Sequence, residues 1–323
     1  MNFAIDDEVH VLAGAIGELL NREDGRRWSA LCELGVPALM LPEPDGAGMD
    51  LLDATVFAER LGQELLPEPA VSSVALALGW HRHGGEEAIL GDLLNNGFTA
   101  AFDAFGAVSI DTRDGLAGRV DVAADERIDV LAVLAASAEA DQSALVLVDL
   151  AGVDRDVRSS TADVLRPTVS TELAHLTPRA VCHLGAGAAT RLRHELTILL
   201  SAELVGGMTR VVTDTVRYVT DRQQFGRSVG SFQAIKHQLA DMYAATEQAR
   251  AAVQFAAISA TSALESGSAD VSSVARWVPR AAITVCETAI HLHGAMGFSW
   301  EVNLHWHLRR ALLVRQQFGR AAR

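Results

Sequence analysis

The chain has 323 residues, of which 49% are hydrophobic and only 5% aromatic, and its formal net charge is -14. This length is enough for a large core and two or three domains, and the dominance of Ala, Leu and Val over aromatic residues favours packed helices. Because so acidic a chain offers no basic stripe to displace counterions from phosphates, nucleic acid is excluded as its partner.

Cysteine usage and the N-terminus indicate where the protein resides. Cys32, Cys182 and Cys286 are isolated, without a Cys-x-x-Cys pair, as expected of reduced thiols in a cytosolic protein. Residues 6–8 are acidic, where a signal peptide needs positive charge. No apolar stretch of about 18 residues is free of polar interruption. We therefore expect a cytoplasmic protein without a membrane span.

Residues 1–98 are predicted to form an N-terminal helical domain. Asp50 can cap a helix whose apolar positions recur at helical spacing from Leu51 to Leu65. This helix should end before Pro67. Another apolar run, from Val71 to Trp80, continues the helical pattern.

A small β-domain is predicted from residue 99 to residue 187, where short apolar runs alternate with Asp, Gly and Arg. The predicted strand segments are 108–110, 118–122, 128–136, 144–148 and 180–184. Gly185-Ala186-Gly187 marks a flexible boundary after the last of them.

Residues 188–323 are predicted to form a C-terminal helical bundle. Thr197 to Gly207 is apolar nearly all round, as expected inside a bundle. The predicted helices are 188–221, 231–266, 271–296 and 303–318. The chain is thus expected to be mainly α with a central β-domain.

Two C-terminal segments carry a specific resemblance to a known family. The first, 218–242, contains Arg-Gln-Gln-Phe-Gly at 222–226, and the second, 291–311, begins His-Leu-His-Gly-Ala-Met-Gly. A weaker match lies at 34–48. In this order they resemble the acyl-CoA dehydrogenases. That resemblance implies an N-terminal helical domain, a small β-barrel or sandwich domain and a C-terminal four-helix bundle.

The resemblance implies FAD as the cofactor, with its pyrophosphate and adenine end resting on a neighbouring subunit. Arg222 can make paired charge-assisted bonds to a pyrophosphate, and Phe225 offers a flat face to the adenine. The residues that the resemblance assigns to this surface are Arg222, Gln224, Phe225, Val229, Gln233, Ile235, His291, Gly294 and Ala295.

The resemblance also implies a carboxylate base that removes the α-proton of a CoA thioester. In one branch of the family its position corresponds to Phe318, which cannot abstract a proton. In another branch, counting back from Arg222 reaches Leu196. The adjacent Glu195 fits only if the helix is shifted, because one residue turns a helix by ~100°. Glu203 lies in an apolar stretch and is expected to pair with an arginine of another helix.

A second departure from the family lies in the segment Thr99 to Phe105. It lacks the Thr-Glu-Pro sequence with which such proteins hold the flavin ring, and the middle β-domain is shortened. The pattern resembles the short, degenerate subunits of actinobacterial α2β2 acyl-CoA dehydrogenases that act on sterol side chains. In those enzymes a full-length partner subunit supplies the base and the ring pocket.

The resemblance therefore implies a subunit for the α,β-desaturation of an acyl-CoA substrate, with an electron-acceptor flavoprotein as a further partner. Two alternatives stay open. One is a self-sufficient homo-oligomeric enzyme with Glu195 or another, unrecognised residue as its base. The other is a flavin-free scaffold that stabilises a catalytic partner.

A metal site is not expected from the four C-terminal histidines. His291 and His293, like His305 and His307, are two residues apart. On a helix this spacing points the rings ~200° apart, whereas helical metal ligands are three or four residues apart.

Overall fold

The structure is a computed structural model that describes residues 5, 7–20, 27–66, 69–95, 97–110, 115–123, 128–137, 142–151, 156–158, 163, 165–166, 168–174, 176–261 and 267–321. The helices within these ranges are α1 (Asp7–Leu20), α2 (Arg27–Glu33), α3 (Leu51–Gln63), α4 (Ala70–Arg82), α5 (Glu87–Leu94), α6 (Ala188–Asp221), α7 (Gln233–Thr261), α8 (Gly267–His293) and α9 (Leu304–Ala321). The strands between α5 and α6 are β1 (Ala100–Ile110), β2 (Leu116–Ala123), β3 (Val130–Ser137), β4 (Ser143–Asp149), β5 (Asp156–Arg158), β6 (Thr168–Glu172) and β7 (Ala180–Leu184).

The N-terminal helices begin and end where local chemistry indicates. The Asp50 carboxylate accepts a hydrogen bond from the Asp53 backbone N–H at 2.8 Å, which satisfies one of the free donors at the start of α3. This contact confirms the predicted cap. Pro67 lies outside the described residues, and the described helix ends before it, at Gln63.

The strands form one sheet with the order β5-β6-β2-β1-β3-β4-β7. β1 and β3 are parallel, and the other neighbouring pairs are antiparallel. Because successive side chains of a strand point to opposite faces, Val130, Ala132 and Leu134 join the core shared with the helices. Leu131 and Val133 join a second core within the strand segment. The central strands are thus apolar on both faces.

The bundle of α6 to α9 confirms the predicted C-terminal helices, with small differences at their ends. α6 spans 188–221, as predicted. α8 ends at His293 rather than at 296 because Gly294 has a left-handed backbone, with φ 59°. By length and composition α6 could cross a membrane, but 83% of its apolar window is buried inside the protein, as in a core helix.

The chain changes from helix to strand between Leu94 and Ala100, and back to helix between Leu184 and Ala188. One hydrophobic core nevertheless includes residues of the N-terminal helices, the sheet and the bundle. The division into domains at residues 98 and 187 therefore stays a prediction.

Helices α3 and α6 touch through a reciprocal pair of glycines. A Cβ atom at Gly62 would collide with the Glu203 carbonyl oxygen, and one at Gly206 would collide with the Glu59 carbonyl oxygen. Each helix thus places a glycine directly against the backbone of the other helix. This close approach fixes the N-terminal helices against the central helix of the bundle.

A buried ionic cluster lies beside this contact. Arg310 of α9 donates to Glu203 of α6 at 2.7 Å and also bonds Asp163, while Arg166 contacts Glu203 at 2.8 Å. Arg166 and Arg310 also donate to the Leu66 carbonyl oxygen, at 3.1 Å and 3.0 Å respectively. Among the described residues the cluster contains two cations and two anions, and the arginines hold the pKa of the Glu203 and Asp163 carboxyls below their usual values. The predicted pairing of Glu203 with an arginine is confirmed.

Candidate functional site

A short hairpin follows α6 and carries the Arg-Gln-Gln-Phe-Gly run. Its strands are β8 (Gln223–Gln224) and β9 (Arg227–Ser228), joined by Phe225 and Gly226 at φ values of 52° and 75°. Two successive positive φ values make the tight turn that joins antiparallel strands. The turn projects the Phe225 ring, which is 91% exposed. The sequence pattern did not indicate the left-handed backbone of Phe225.

Backbone and side-chain hydrogen bonds hold the hairpin against the end of α6. The Val229 N–H donates to the Arg222 carbonyl oxygen at 2.8 Å, and the Ser228 hydroxyl donates to the Val219 carbonyl oxygen at 2.8 Å. Next to it, the Arg227 guanidinium stacks on the Phe232 ring at 4.0 Å. The surface is therefore ordered before any ligand arrives, which lowers the entropic cost of binding.

Arg222 is the charged residue that the resemblance assigns to this surface. Its side chain is exposed, and its guanidinium makes no hydrogen bond or ion pair with any residue that the structure describes. Gln224 and Gln233 are also exposed, and the Gln233 amide lies 2.8 Å from the His237 ring. A guanidinium can donate hydrogen bonds to a pyrophosphate, and an exposed aromatic ring can stack on the base joined to it. Val229 and Ile235, both partly buried, pack against the core behind it.

The second predicted segment stands at the end of α8. His291, Gly294 and Ala295 are exposed there, and no described hydrogen bond or ion pair joins them to the hairpin. Instead, the Tyr218 ring stacks on the His293 ring at 4.1 Å and its hydroxyl donates to the His293 carbonyl oxygen at 3.2 Å. Sequence reasoning did not single out this pair, although both residues lie inside the matched segments.

A cavity of about 500 Å³ lies at the other end of the bundle. Phe105 of β1 and Phe318 of α9 meet edge to face in its wall, with ring centroids 5.5 Å apart. The residues that line it are Phe105, Thr190, Arg193, His194, Thr197, Val271, Ser272, Ala275, Arg276, Arg280, Arg315, Phe318 and Gly319. None of these residues has a carboxylate.

Two acidic residues close in sequence to the lining residues, Glu195 and Asp103, are engaged elsewhere. Glu195 of α6 is buried and accepts two hydrogen bonds from the Arg82 guanidinium of α4, at 2.8 and 3.1 Å. Burial raises the pKa of Glu195 and Arg82 opposes that rise, but the side chain does not line the cavity. The Asp103 carboxylate of β1 is also buried and pairs with Arg320 at 3.2 Å. None of the described residues that line the cavity therefore offers a carboxylate to receive a proton from a ligand.

The hairpin surface and the cavity are far apart. Arg193 and Arg222 are 29 residues apart, near opposite ends of α6, and at ~1.5 Å per residue this spacing amounts to about 40 Å. No single FAD molecule can use both as one site, since the cavity and the hairpin occupy opposite ends of the bundle.

Comparisons with known proteins agree with the sequence motifs. A family model described as "Acyl-CoA dehydrogenase, C-terminal domain" matches residues 185–321. The acyl-CoA dehydrogenase IpdE2 of Mycolicibacterium smegmatis is 30% identical over 315 residues, covering 94% of this chain and 88% of that protein. The acyl-CoA dehydrogenase FadE28 of Mycobacterium tuberculosis is 26% identical over 322 residues, covering 94% of this chain and 91% of that protein.

Solved structures show the same fold. A variant of the Tcur3481-Tcur3483 steroid ACAD matches with a TM-score of 0.85 at 23% identity, over 98% of this chain and 95% of that one. The ChsE4-ChsE5 complex of Mycobacterium tuberculosis matches with a TM-score of 0.85 at 24% identity, over 100% and 96%. These structures confirm the predicted architecture of helical domain, central sheet and helical bundle, and the sequence relatives establish the kinship. The chain belongs to the acyl-CoA dehydrogenase family.

Proposed function

We propose that this chain is the non-catalytic subunit of an FAD-dependent acyl-CoA dehydrogenase heteromer. It holds the pyrophosphate and adenine end of an FAD, which supplies the redox chemistry, while a full-length partner subunit provides the ring pocket and the base. The complex desaturates a CoA thioester in the cytoplasm and passes electrons to an acceptor flavoprotein. Sterol side chains are the first substrates to test, because a solved neighbour is described as a steroid ACAD.

One contrast carries this proposal. At the hairpin end, Arg222 and Phe225 are exposed and fit a cofactor tail. At the cavity end, Phe318 stands where the family's base is expected, and the lining contains no carboxylate. A chain that keeps the first feature and lacks the second can complete a partner's FAD site without performing the reaction itself.

Arg222→Ala should weaken FAD binding by the co-purified complex about tenfold or more, since it removes charge-assisted bonds to the pyrophosphate. Arg217→Ala is the matched control, because Arg217 is also exposed near the end of α6 but lies before the hairpin. FAD content is read from visible absorbance and the dissociation constant from titration. Unchanged binding in Arg222→Ala would favour the flavin-free scaffold.

The purified chain alone tests the same proposal from the other side. It should lack stoichiometric flavin absorbance and show no dehydrogenase turnover, because the ring pocket and base belong to the partner. A yellow, active preparation would contradict the proposal and favour the self-sufficient enzyme.

Glu195→Gln addresses that alternative directly. Turnover of the complex should stay within about twofold of the unmodified protein, because the Glu195 carboxylate faces Arg82 rather than the cavity. Turnover is measured by dye reduction at saturating acyl-CoA. Thermal unfolding checks that weakening the contact with Arg82 has not destabilised the fold. A loss of a hundredfold or more, about 2.7 kcal/mol of transition-state stabilisation, would identify Glu195 as the base.

A further inference from the structure

Strand β1 carries a bulge beside the cavity. Its pairing with β3 shifts register after Asp103, where extra residues of β1 form the bulge. The buried Asp103 carboxylate accepts hydrogen bonds from the backbone N–H groups of Phe105 and Gly106, at 2.9 and 3.2 Å. From α6, the Arg193 Nε donates to the Ala104 carbonyl oxygen at 2.8 Å. The bulge is therefore fixed by contacts with its own strand and with α6, and it places the Phe105 ring in the cavity wall.

The last turns of α9 pack over this bulge. Phe318 meets Phe105 edge to face, with ring centroids 5.5 Å apart. The Arg320 guanidinium donates to the Asp103 carboxylate at 3.2 Å. Residues 315–320, which we call the strap, thus form one wall of the cavity and contact the bulge through a ring pair and an ion pair.

Two features make the strap easier to release than the bulge. Gly319 lies inside α9 with no atom within 4 Å of its Cβ position, so packing does not require a glycine there, and a glycine makes this turn less stable than an alanine would. The Arg320 Nε is buried without a hydrogen-bond partner among the residues that the structure describes, which weakens the closed arrangement. The strap should therefore open locally far more often than the whole protein unfolds.

We propose that the strap is a gate over the cavity, which opens when the Phe318 ring and the Arg320 guanidinium leave the bulge together. The bulge stays in place, because Asp103 and Arg193 fix it without the strap. In the closed state Thr197, which lines the cavity, is buried, and opening exposes it to solvent. The Asp103–Arg320 ion pair therefore controls access to the cavity.

A cysteine at position 197 reports how often the gate opens. The full chain carrying Thr197→Cys is treated with iodoacetamide, and labelling of that residue is followed by peptide mass spectrometry. Labelling should be at least about tenfold slower than in the urea-unfolded chain, because the reagent must wait for opening. Deuterium exchange of the β3 amides is measured in parallel, since β3 lies inside the sheet and reports opening of the sheet itself.

In this background Asp103→Asn should speed labelling about tenfold. An amide has one acceptor oxygen, which can serve the backbone N–H groups of the bulge or Arg320 but not both. Arg320→Gln should have a similar effect and leaves β1 unchanged. The double variant should exceed either single change by no more than about twofold, because both remove the same contact. Gln316→Ala, at an exposed position of the strap, is the matched control and should label within about twofold of the Thr197→Cys chain.

Gly319→Ala should act in the opposite direction and slow labelling about threefold or more, since alanine stabilises the last turn of α9. Exchange of the β3 amides should be the same in all these variants. The proposal is overturned if Arg320→Gln leaves labelling unchanged, if faster labelling is matched by faster β3 exchange, or if Thr197→Cys alone labels as fast as the unfolded chain. None of these measurements involves FAD or a partner, so failure of the gate leaves the proposed function standing.

Discussion

Arg310→Met should lower the free energy of unfolding by about 3–5 kcal/mol, the usual cost of removing one partner from a buried ion pair. Arg310 is buried and contacts Glu203 at 2.7 Å as well as Asp163. Without it, Glu203 and Asp163 both lose the guanidinium that contacts them. Methionine fills similar space, so the loss reports the unpaired charge and not a cavity. Urea denaturation at pH 7 provides the measurement.

The pH dependence of the difference in stability between Arg310→Met and the original chain gives a sharper test. The arginines hold the pKa of Glu203 and Asp163 below the ordinary values of 4.5 and 3.8. Groups with depressed pKa values stabilise the fold above those ordinary values and lose that contribution as the pH falls through the folded values. The difference in the free energy of unfolding between Arg310→Met and the original chain should therefore decrease below about pH 4.5.

Two further variants control for other causes. Arg315→Met changes an exposed arginine of the same helix and should shift stability by less than about 0.5 kcal/mol. Adding Glu203→Gln to Arg310→Met should cost less than the sum of the single changes, because it removes one uncompensated charge. If the difference in the free energy of unfolding stayed constant at acidic pH, packing rather than charge would explain why Arg310→Met is less stable.

Gly206→Ala should destabilise the protein by up to about 2 kcal/mol. The new methyl group would collide with the Glu59 carbonyl oxygen of α3, and backbone atoms cannot move aside as a flexible side chain can. Overpacking of a well-packed core costs about 1–3 kcal/mol and occasionally more. That cost must exceed the roughly 1 kcal/mol that alanine gains over glycine inside a helix.

Gly91→Ala is the matched control, because Gly91 lies inside α5 with no atom within 4 Å of its Cβ position. It should stabilise the protein by up to about 1 kcal/mol. Gly62→Ala should behave like Gly206→Ala, and the double variant should cost less than the sum, since separating the two helices relieves both collisions. A neutral Gly206→Ala would mean that α3 and α6 stand farther apart than the structure has them.

Local patterns predicted the secondary structure well because the signals they use are local. Helical spacing gave α6 its bounds, and Asp50 marked the start of α3 through a cap that involves only neighbouring residues. The runs in β3 and β4 were recognised as strands although apolar and polar residues do not alternate in them. The sheet explains this, because each of its two faces packs against a hydrophobic core. The Arg222–Gly226 run was likewise recognisable, because the residues that carry the family resemblance there are consecutive in the chain.

By itself the sequence determined the family and the order of helices and strands, and it singled out the residues that we propose for a cofactor tail and Phe318 at the position expected of the base. Tertiary structure decided what those residues contact. It turned Glu195 toward Arg82 and buried Glu203 among two arginines. It also gathered Arg276, Arg280 and Arg315 at one cavity. Such contacts join residues distant along the chain, and a local pattern carries no information on which distant partner a side chain will face.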